Sequence, residues 1–160
     1  MESSKVVVFR CGQEDYAISV DQIVSIEKVD HINPVPHLPH YVVGLTKNRG
    51  ELLPVLDFEQ ILYNRSAGFN DTRLVIVQAD DFLFALQVVE AKEIMDLPNE
   101  VLKQVGLINY ARTKYFTAVA NLEDRMITVV SPTVLCDTLD GIKDIKQYMI
   151  ELEKQKAEEA

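Results

Sequence analysis

One local pattern, a short apolar strand running through a helix cap into one or two helical turns, occurs twice in this chain. Leu52-Leu53-x-Val55-Leu56-Asp57-x-x-x-Ile61 is matched by Met126-Ile127-x-Val129-Val130-Ser131-x-x-x-Leu135. In each copy the Asp or Ser oxygen can accept from the unpaired amides of the first helical turn. Pro132, at the first position of the second helix, needs no amide partner there. A duplicated joint of this kind predicts two related halves, each ending in a strand and a short helix. Chance likeness between two strand–helix joints is the alternative.

The rest of the first half reads as strands. Val6-Val7-Val8-Phe9 is a β-branched run that ends at the Gly12 turn. Tyr16, Ile18 and Val20 alternate with Ala17 and Ser19, the period-two pattern of a strand. A kink near Asp21-Gln22 leads into Ile23 to Val29. Pro34, Pro36 and Pro39 make Asp30 to His40 an extended surface connection, because proline forbids helix and removes ladder donors. Tyr41 to Leu45 resumes as a strand, Asn48 to Glu51 turns, and Leu52 to Leu56 returns. Pro54 predicts an edge or bulge position there. Asp57 caps a helix over Phe58 to Tyr63, and Asn64 to Asp71 is a polar linker.

The second half repeats the plan. Thr72 to Ala79 is a strand and Asp80-Asp81 a turn. Phe82 to Val89 with Ala91 to Leu97 correspond to Tyr16 to Val29. Pro98 to Lys114 reads as irregular, with a helical turn after Asn99. Tyr115 to Ala120 and Met126 to Val130 are strands around an Asn121 to Arg125 turn. These readings divide the single domain 1–160 into halves at 1–70 and 71–138, with strand exchange between them left open. A tail follows over 139–160. There Ile142, Ile145, Met149 and Leu152 form one apolar stripe, which predicts a helix docked on the core. Past Lys154 the stripe ends and fraying is expected; a pairing or partner-binding helix is the other reading.

Charge and residue chemistry then narrow the function. The 160 residues include 25 acidic and 16 basic side chains, a formal net charge of −9. Nucleic acid and anionic membranes repel such a field, and no run of Lys and Arg overrides it. The N-terminus shows no secretory pattern and no run is long enough for a membrane span, so a cytoplasmic protein without membrane insertion is expected. Cys11 and Cys136 are read as buried free thiols. His31, His37 and His40 lack a completing ligand, so no metal is expected. No phosphate-cradling glycine loop, nucleophile elbow or zinc-protease motif occurs, and no cofactor is expected. A binding module, not an enzyme, fits these residues. Arg49, at a turn between two apolar strands, could offer its five donors to a partner.

Three segments resemble the CheW-like family. Asp15-Tyr16-Ala17-Ile18-Ser19-Val20-x-x-Ile23-x-x-Ile26 is similar to its opening hairpin, and Gly44 to Asp57 resembles its central signature, G-[VI]-x-N-L-R-G-x-[apolar]-x-P-[VI]-[apolar]-D-L. Asp124-Arg125-Met126-Ile127 looks like its late strand. The resemblance spans about Val6 to Leu139. It implies an all-β fold of two five-stranded SH3-like barrels sharing a core, with short helices and a C-terminal helix. It also implies a non-enzymatic chemotaxis adaptor between methyl-accepting receptors and the regulatory domain of the histidine kinase CheA.

On that resemblance Arg49, Gly44 and Ile23 are the expected receptor contacts, and Phe82, Leu83 and Leu86 mark the expected kinase surface. Three departures stand out. The family's Asn-Leu before the arginine is Lys47-Asn48 here, the usual acid of the V-x-E-I strand is Ser25, and the second-half V-D-E-V is Val88-Val89-Glu90-Ala91. A divergent scaffold in another two-component pathway is one alternative. A nucleic-acid-binding β-barrel is another, and it would need a basic groove with stacking aromatics.

Overall fold

The computed structural model describes residues 3–66, 72–104 and 115–159. Its strands are β1 (Ser3–Cys11), β2 (Glu14–Ser19), β3 (Ile23–Lys28), β4 (Val42–Asn48), β5 (Glu51–Asp57), β6 (Arg73–Ala79), β7 (Phe82–Val88), β8 (Glu90–Pro98), β9 (Leu102–Gln104), β10 (Phe116–Asn121) and β11 (Met126–Val130). The helices are α1 (Phe58–Tyr63), α2 (Pro132–Thr138) and α3 (Ile142–Glu159), with single 3-10 turns at Val20–Gln22 and Asn99–Val101.

Two sheets form, and each takes strands from both sequence halves. The first runs β8-β1-β2-β11-β10-β9 and the second β3-β6-β7-β5-β4. The hairpin of one half is therefore inserted between strands of the other. The register repeats as well: Val129 lies opposite Ala17 where β11 runs parallel to β2, and Val55 lies opposite Ala85 where β5 runs parallel to β7. Across the hairpins Val8 faces Ala17 and Ile76 faces Ala85. Equal pairings in two swapped sheets make chance likeness an inadequate account of the repeated joint.

Alternation explains why the hairpin strands are continuously apolar. Val6, Val8 and Ala17 point into one barrel with Leu97, Ala120 and Ile127, while Leu74, Ile76 and Ala85 point into the other with Leu53 and Val55. The opposite faces of the same strands, Phe9, Tyr16 and Ile18 with Val75, Val77, Phe84 and Leu86, meet in a core shared by the two barrels. A strand buried on both faces has no polar side, so Val6 to Phe9 reads as an unbroken run.

The first sheet is curled. The Arg125 guanidinium meets the Glu93 carboxylate at 2.5 Å, although β1 and β2 lie between β8 and β11. In a flat sheet three strand spacings would hold them about 14 Å apart.

Both helix joints form as the sequence predicts. Asp57 Oδ1 accepts from the Gln60 amide at 3.2 Å, and Ser131 Oγ from the Val134 amide at 3.2 Å. Ile142 and Ile145 of α3 are buried in the shared core, with Met149 packed against it. The Tyr41 hydroxyl donates to the Asp140 carbonyl at 2.6 Å and fixes the start of that helix.

Three expectations need amendment. Pro54 lies in an inner strand, not at an edge, immediately before the Val55–Asp57 stretch that pairs with β7. The first sheet has a sixth strand, because Leu102–Gln104 pairs with β10 inside the segment read as irregular. Its counterpart in the other half is a single bridge, Asn33 to Leu45. Helix α3 continues past Lys154 to Glu159, since Glu, Lys, Gln and Ala sustain a helix without an apolar stripe. Of the two irregular segments, residues 67–71 and 105–114 lie outside the described residues.

Candidate docking surfaces

Arg49 stands at the tip of the β4–β5 hairpin. Asn48 pairs with Glu51, which leaves Arg49 and Gly50 as the two turn residues, with φ of 52° and 86°. A two-residue turn with both φ positive matches the right-handed twist of its strands and usually carries Asn-Gly. An arginine at the first position costs about 1 kcal/mol of backbone strain. Its side chain is exposed, and among the described residues it has no ion-pair partner. Lys47, also exposed, adds a second cation to this tip.

The other expected receptor residues are placed differently. Gly44 is buried beneath the proline-rich connection. A Cβ there would overlap the Asn33 carbonyl, so the glycine admits a crossing chain and presents no side to a partner. That crossing is pinned by reciprocal Asn33–Leu45 main-chain bonds at 2.8 Å and by the Thr46 hydroxyl donating to the His31 carbonyl at 2.8 Å. Ile23 opens β3, half-buried against the shared core, on the opposite edge of the sheet from β4. Gly44 and Arg49 thus share one hairpin, and Ile23 stands on a different strand. The exposed apolar residues of β3 are its neighbours Val24 and Ile26.

Of the three residues expected to face a kinase, Leu83 alone has appreciable exposed surface. Leu86 is fully buried in the shared core and Phe82 nearly so. Their alternation along β7 turns both side chains inward, to the opposite side from Leu83.

Two features carried no role in the sequence reading. The first is an ion cluster at one end of the first barrel. Arg125 Nε lies 3.4 Å from Asp15 and its Nη1 bonds Glu93, while Arg10 lies 3.6 Å from Asp15. The Asp-Arg-apolar motif signalled Arg125, but its partners sit on strands that only the swap brings near. The second is a cleft of about 840 Å³ between α1 and the α2–α3 corner. Tyr41 and its second-half counterpart Tyr115 line it together with Tyr16, Leu62 and Phe116.

The thiols sit in settings suited to packing. Burial, with Glu59 and Asp57 nearby, pushes the Cys11 pKa far up, and burial raises that of Cys136 to about 12. Both stay protonated and weakly nucleophilic at neutral pH. Among the described residues no group of three or more His, Cys, Asp or Glu side chains is arranged to hold a metal ion. No helix of the described residues is long and apolar enough to cross a membrane. The surfaces present an exposed cationic turn, an edge strand with protruding apolar residues, and concave joints between barrels and helices. These are means of holding other proteins.

Comparison with known proteins agrees with this geometry. The chain is 26% identical over 135 residues to the chemotaxis protein CheW of Bacillus subtilis, covering 83% of this chain and 86% of the relative. It is 24% identical over 128 residues to the chemotaxis protein CheW of Rhizobium meliloti, covering 79% and 83%. The crystal structure of the scaffolding protein TtCheW from Thermoanaerobacter tengcongensis superposes with a TM-score of 0.77 at 22% identity, covering 88% of this chain and 96% of that one. That structural likeness establishes the fold as the paired SH3-like barrels of that scaffold. The CheW-like domain model matches residues 5–140, and this chain belongs to the CheW-like domain family.

Proposed function

We propose that this protein is a non-enzymatic adaptor of bacterial chemotaxis, coupling methyl-accepting receptors to the regulatory domain of the histidine kinase CheA in the cytoplasm. The observation that carries the reading is the Arg49 turn. A long cation is held at the tip of a rigid hairpin in a backbone conformation that arginine disfavours, with no partner within the described part of the chain. Strain retained at an exposed position is a mark of use by a partner. A guanidinium there offers a planar fork of donors to a carboxylate or to carbonyls at a receptor's tip.

In this reading Arg49 touches receptor, Gly44 sets the hairpin's seat beneath the proline-rich connection, and Ile23 supports the edge strand that shows Val24 and Ile26. The kinase's regulatory domain meets a barrel surface that includes Leu83. Signal passes as a coupling free energy: a receptor shift alters how the adaptor holds the kinase, with no covalent step. The test is a pull-down of receptor cytoplasmic fragments with wild type and Arg49→Glu. Wild type is expected to retain receptor and the variant to lose it with an unchanged melting curve. Equal retention by a folded variant would remove Arg49 from the interface.

A further inference from the structure

The proline-rich connection is anchored at two places, and only the first lies beside the receptor hairpin. At that place Asn33 and Leu45 exchange main-chain bonds and the Thr46 hydroxyl donates to the His31 carbonyl. At the second, the Val42 amide donates to the Pro39 carbonyl at 2.9 Å, and the Tyr41 hydroxyl reaches the Asp140 carbonyl. A Cβ on Gly141 would stand 2.6 Å from Pro39 Cγ, so the corner between α2 and α3 lies directly on the proline ring. Between the anchors the chain has no glycine, and Pro34, Pro36 and Pro39 each fix φ. Such a segment has few ways to absorb a displacement at one end without passing it to the other.

Tyr41 is where three elements meet. It leads straight into β4, its carbonyl accepts from Asp57 at the end of β5, and its hydroxyl holds the start of α3. Ile142 and Ile145 of α3 are buried in the same cluster as the Tyr41 ring. The terminal helix follows the second half in sequence, yet its first turn is tied to the half that carries Arg49. Strand β4 is also an edge of its sheet, paired by a ladder only with β5. On its other side, among the described residues, the Asn33–Leu45 bridge is what stiffens it.

We propose that Tyr41 is a positioning residue for the Arg49 turn: the seating of α3 against Pro39 and Tyr41 sets the proline-rich connection, and the connection holds β4 and its hairpin in place. Arg49 lies eight residues along from Tyr41, about 26 Å of extended strand, so the effect does not pass by direct contact. The coupling is reciprocal, so a change at the bridge also loosens the start of α3. The proposal deepens the adaptor reading and rests on it for the identity of the partner that Arg49 meets.

The test is amide hydrogen exchange of the full chain by NMR, with binding of receptor cytoplasmic fragments measured in parallel. Tyr41→Phe removes the hydroxyl bond and keeps the ring. Exchange at Asn33 and Leu45 is expected to quicken about fivefold, while the amides that pair β9 with β10 keep their rates. Receptor fragments are expected to bind about fivefold more weakly. Gly141→Ala repeats the test from the helix side, where a methyl group displaces Pro39 instead of a bond being removed. Gly44→Ala runs it in reverse and should quicken exchange at Ile142 and Ile145, whose amides bond the Leu139 and Gly141 carbonyls. Unchanged exchange at Asn33 and Leu45 in folded Tyr41→Phe would overturn the proposal. Equal acceleration in both barrels would do the same, because it reports general destabilisation. The exchange data need no partner, so the two readings fail separately. Unchanged exchange with receptor lost by Arg49→Glu sinks the positioning role alone. A loosened bridge with receptor retained by Arg49→Glu supports the coupling and removes Arg49 from the interface.

Discussion

The main-chain amide of Asp57 donates to the carbonyl of Tyr41 at 2.8 Å, and the same bond joins Ser131 to Tyr115 at 2.8 Å in the other half. Each bond ties the start of a returning hairpin to the residue that caps the following helix. Both tyrosines are buried and both line the cleft between the halves. The repeat thus extends beyond strand order to individual hydrogen bonds around the helix joints.

Loss of a cap is therefore expected to act alike in the two halves. Ser131→Ala should cost about 1 kcal/mol, seen as a lower chemical-denaturation midpoint with an unchanged slope. Asp57→Ala should cost somewhat more, about 2 kcal/mol, because this carboxylate is also buried.

Gly44→Ala separates seat from contact. A methyl group there meets the Asn33 carbonyl, so the proline-rich crossing must shift, at a cost of roughly 2 kcal/mol. Any loss of receptor binding by this variant should accompany a fall in melting temperature and loss of the Asn33–Leu45 bridge by amide exchange. Arg49→Asn should do the reverse, raising stability by a few tenths of a kcal/mol through relief of the positive φ while weakening receptor binding.

The ion cluster of the first barrel predicts an asymmetric response. Arg125→Ala removes the cation that joins Asp15 to Glu93 and leaves Asp15 with Arg10 at 3.6 Å, so it should cost about 1 kcal/mol. Because the cluster is partly exposed, raising salt should narrow the gap between wild type and variant. Denaturation at low and high ionic strength checks both statements.

Alkaline pH should destabilise the fold. Cys11 and Cys136 have their pKa values raised above the ordinary 9.0, and Tyr16, Tyr41 and Tyr115 theirs above the ordinary 10.0, with desolvation the largest cause in each. The unfolded chain then ionises first as pH rises, so it loses protons that the folded chain retains. Stability is whole below about pH 9 and declines through the range above it. Thermal melts at pH 7.5, 9 and 10.5 should show little change over the first step and a clear fall over the second. Below pH 9 neither thiol should react with iodoacetamide until the protein unfolds.

Much of this fold is legible in the residues because each element carries its own local cause. Asp57 and Ser131 announce their helices, Gly12 and Asp80-Asp81 their turns, and Val6 to Phe9 a strand. What escapes is what depends on partners distant in sequence. No local signal tells Val129 to lie beside Ala17, so the sheet swap was an open possibility and not a reading. Leu102–Gln104 is too short to show a period, and only its pairing with Ala118, Val119 and Ala120 makes it a strand. At the docking surfaces, turn chemistry exposed Arg49, whereas the burial of Leu86 follows from packing that no window of sequence contains.

The central claim is that this chain joins receptor and kinase by contact alone. Its most direct test is sedimentation of receptor-bearing membranes with purified CheA, with and without this protein. The account predicts that kinase enters the pellet only when the protein is present, in a ternary complex that Arg49→Glu abolishes while the variant still binds kinase in solution. Kinase pelleting to the same extent without the protein, or no kinase recruited in its presence, would contradict it.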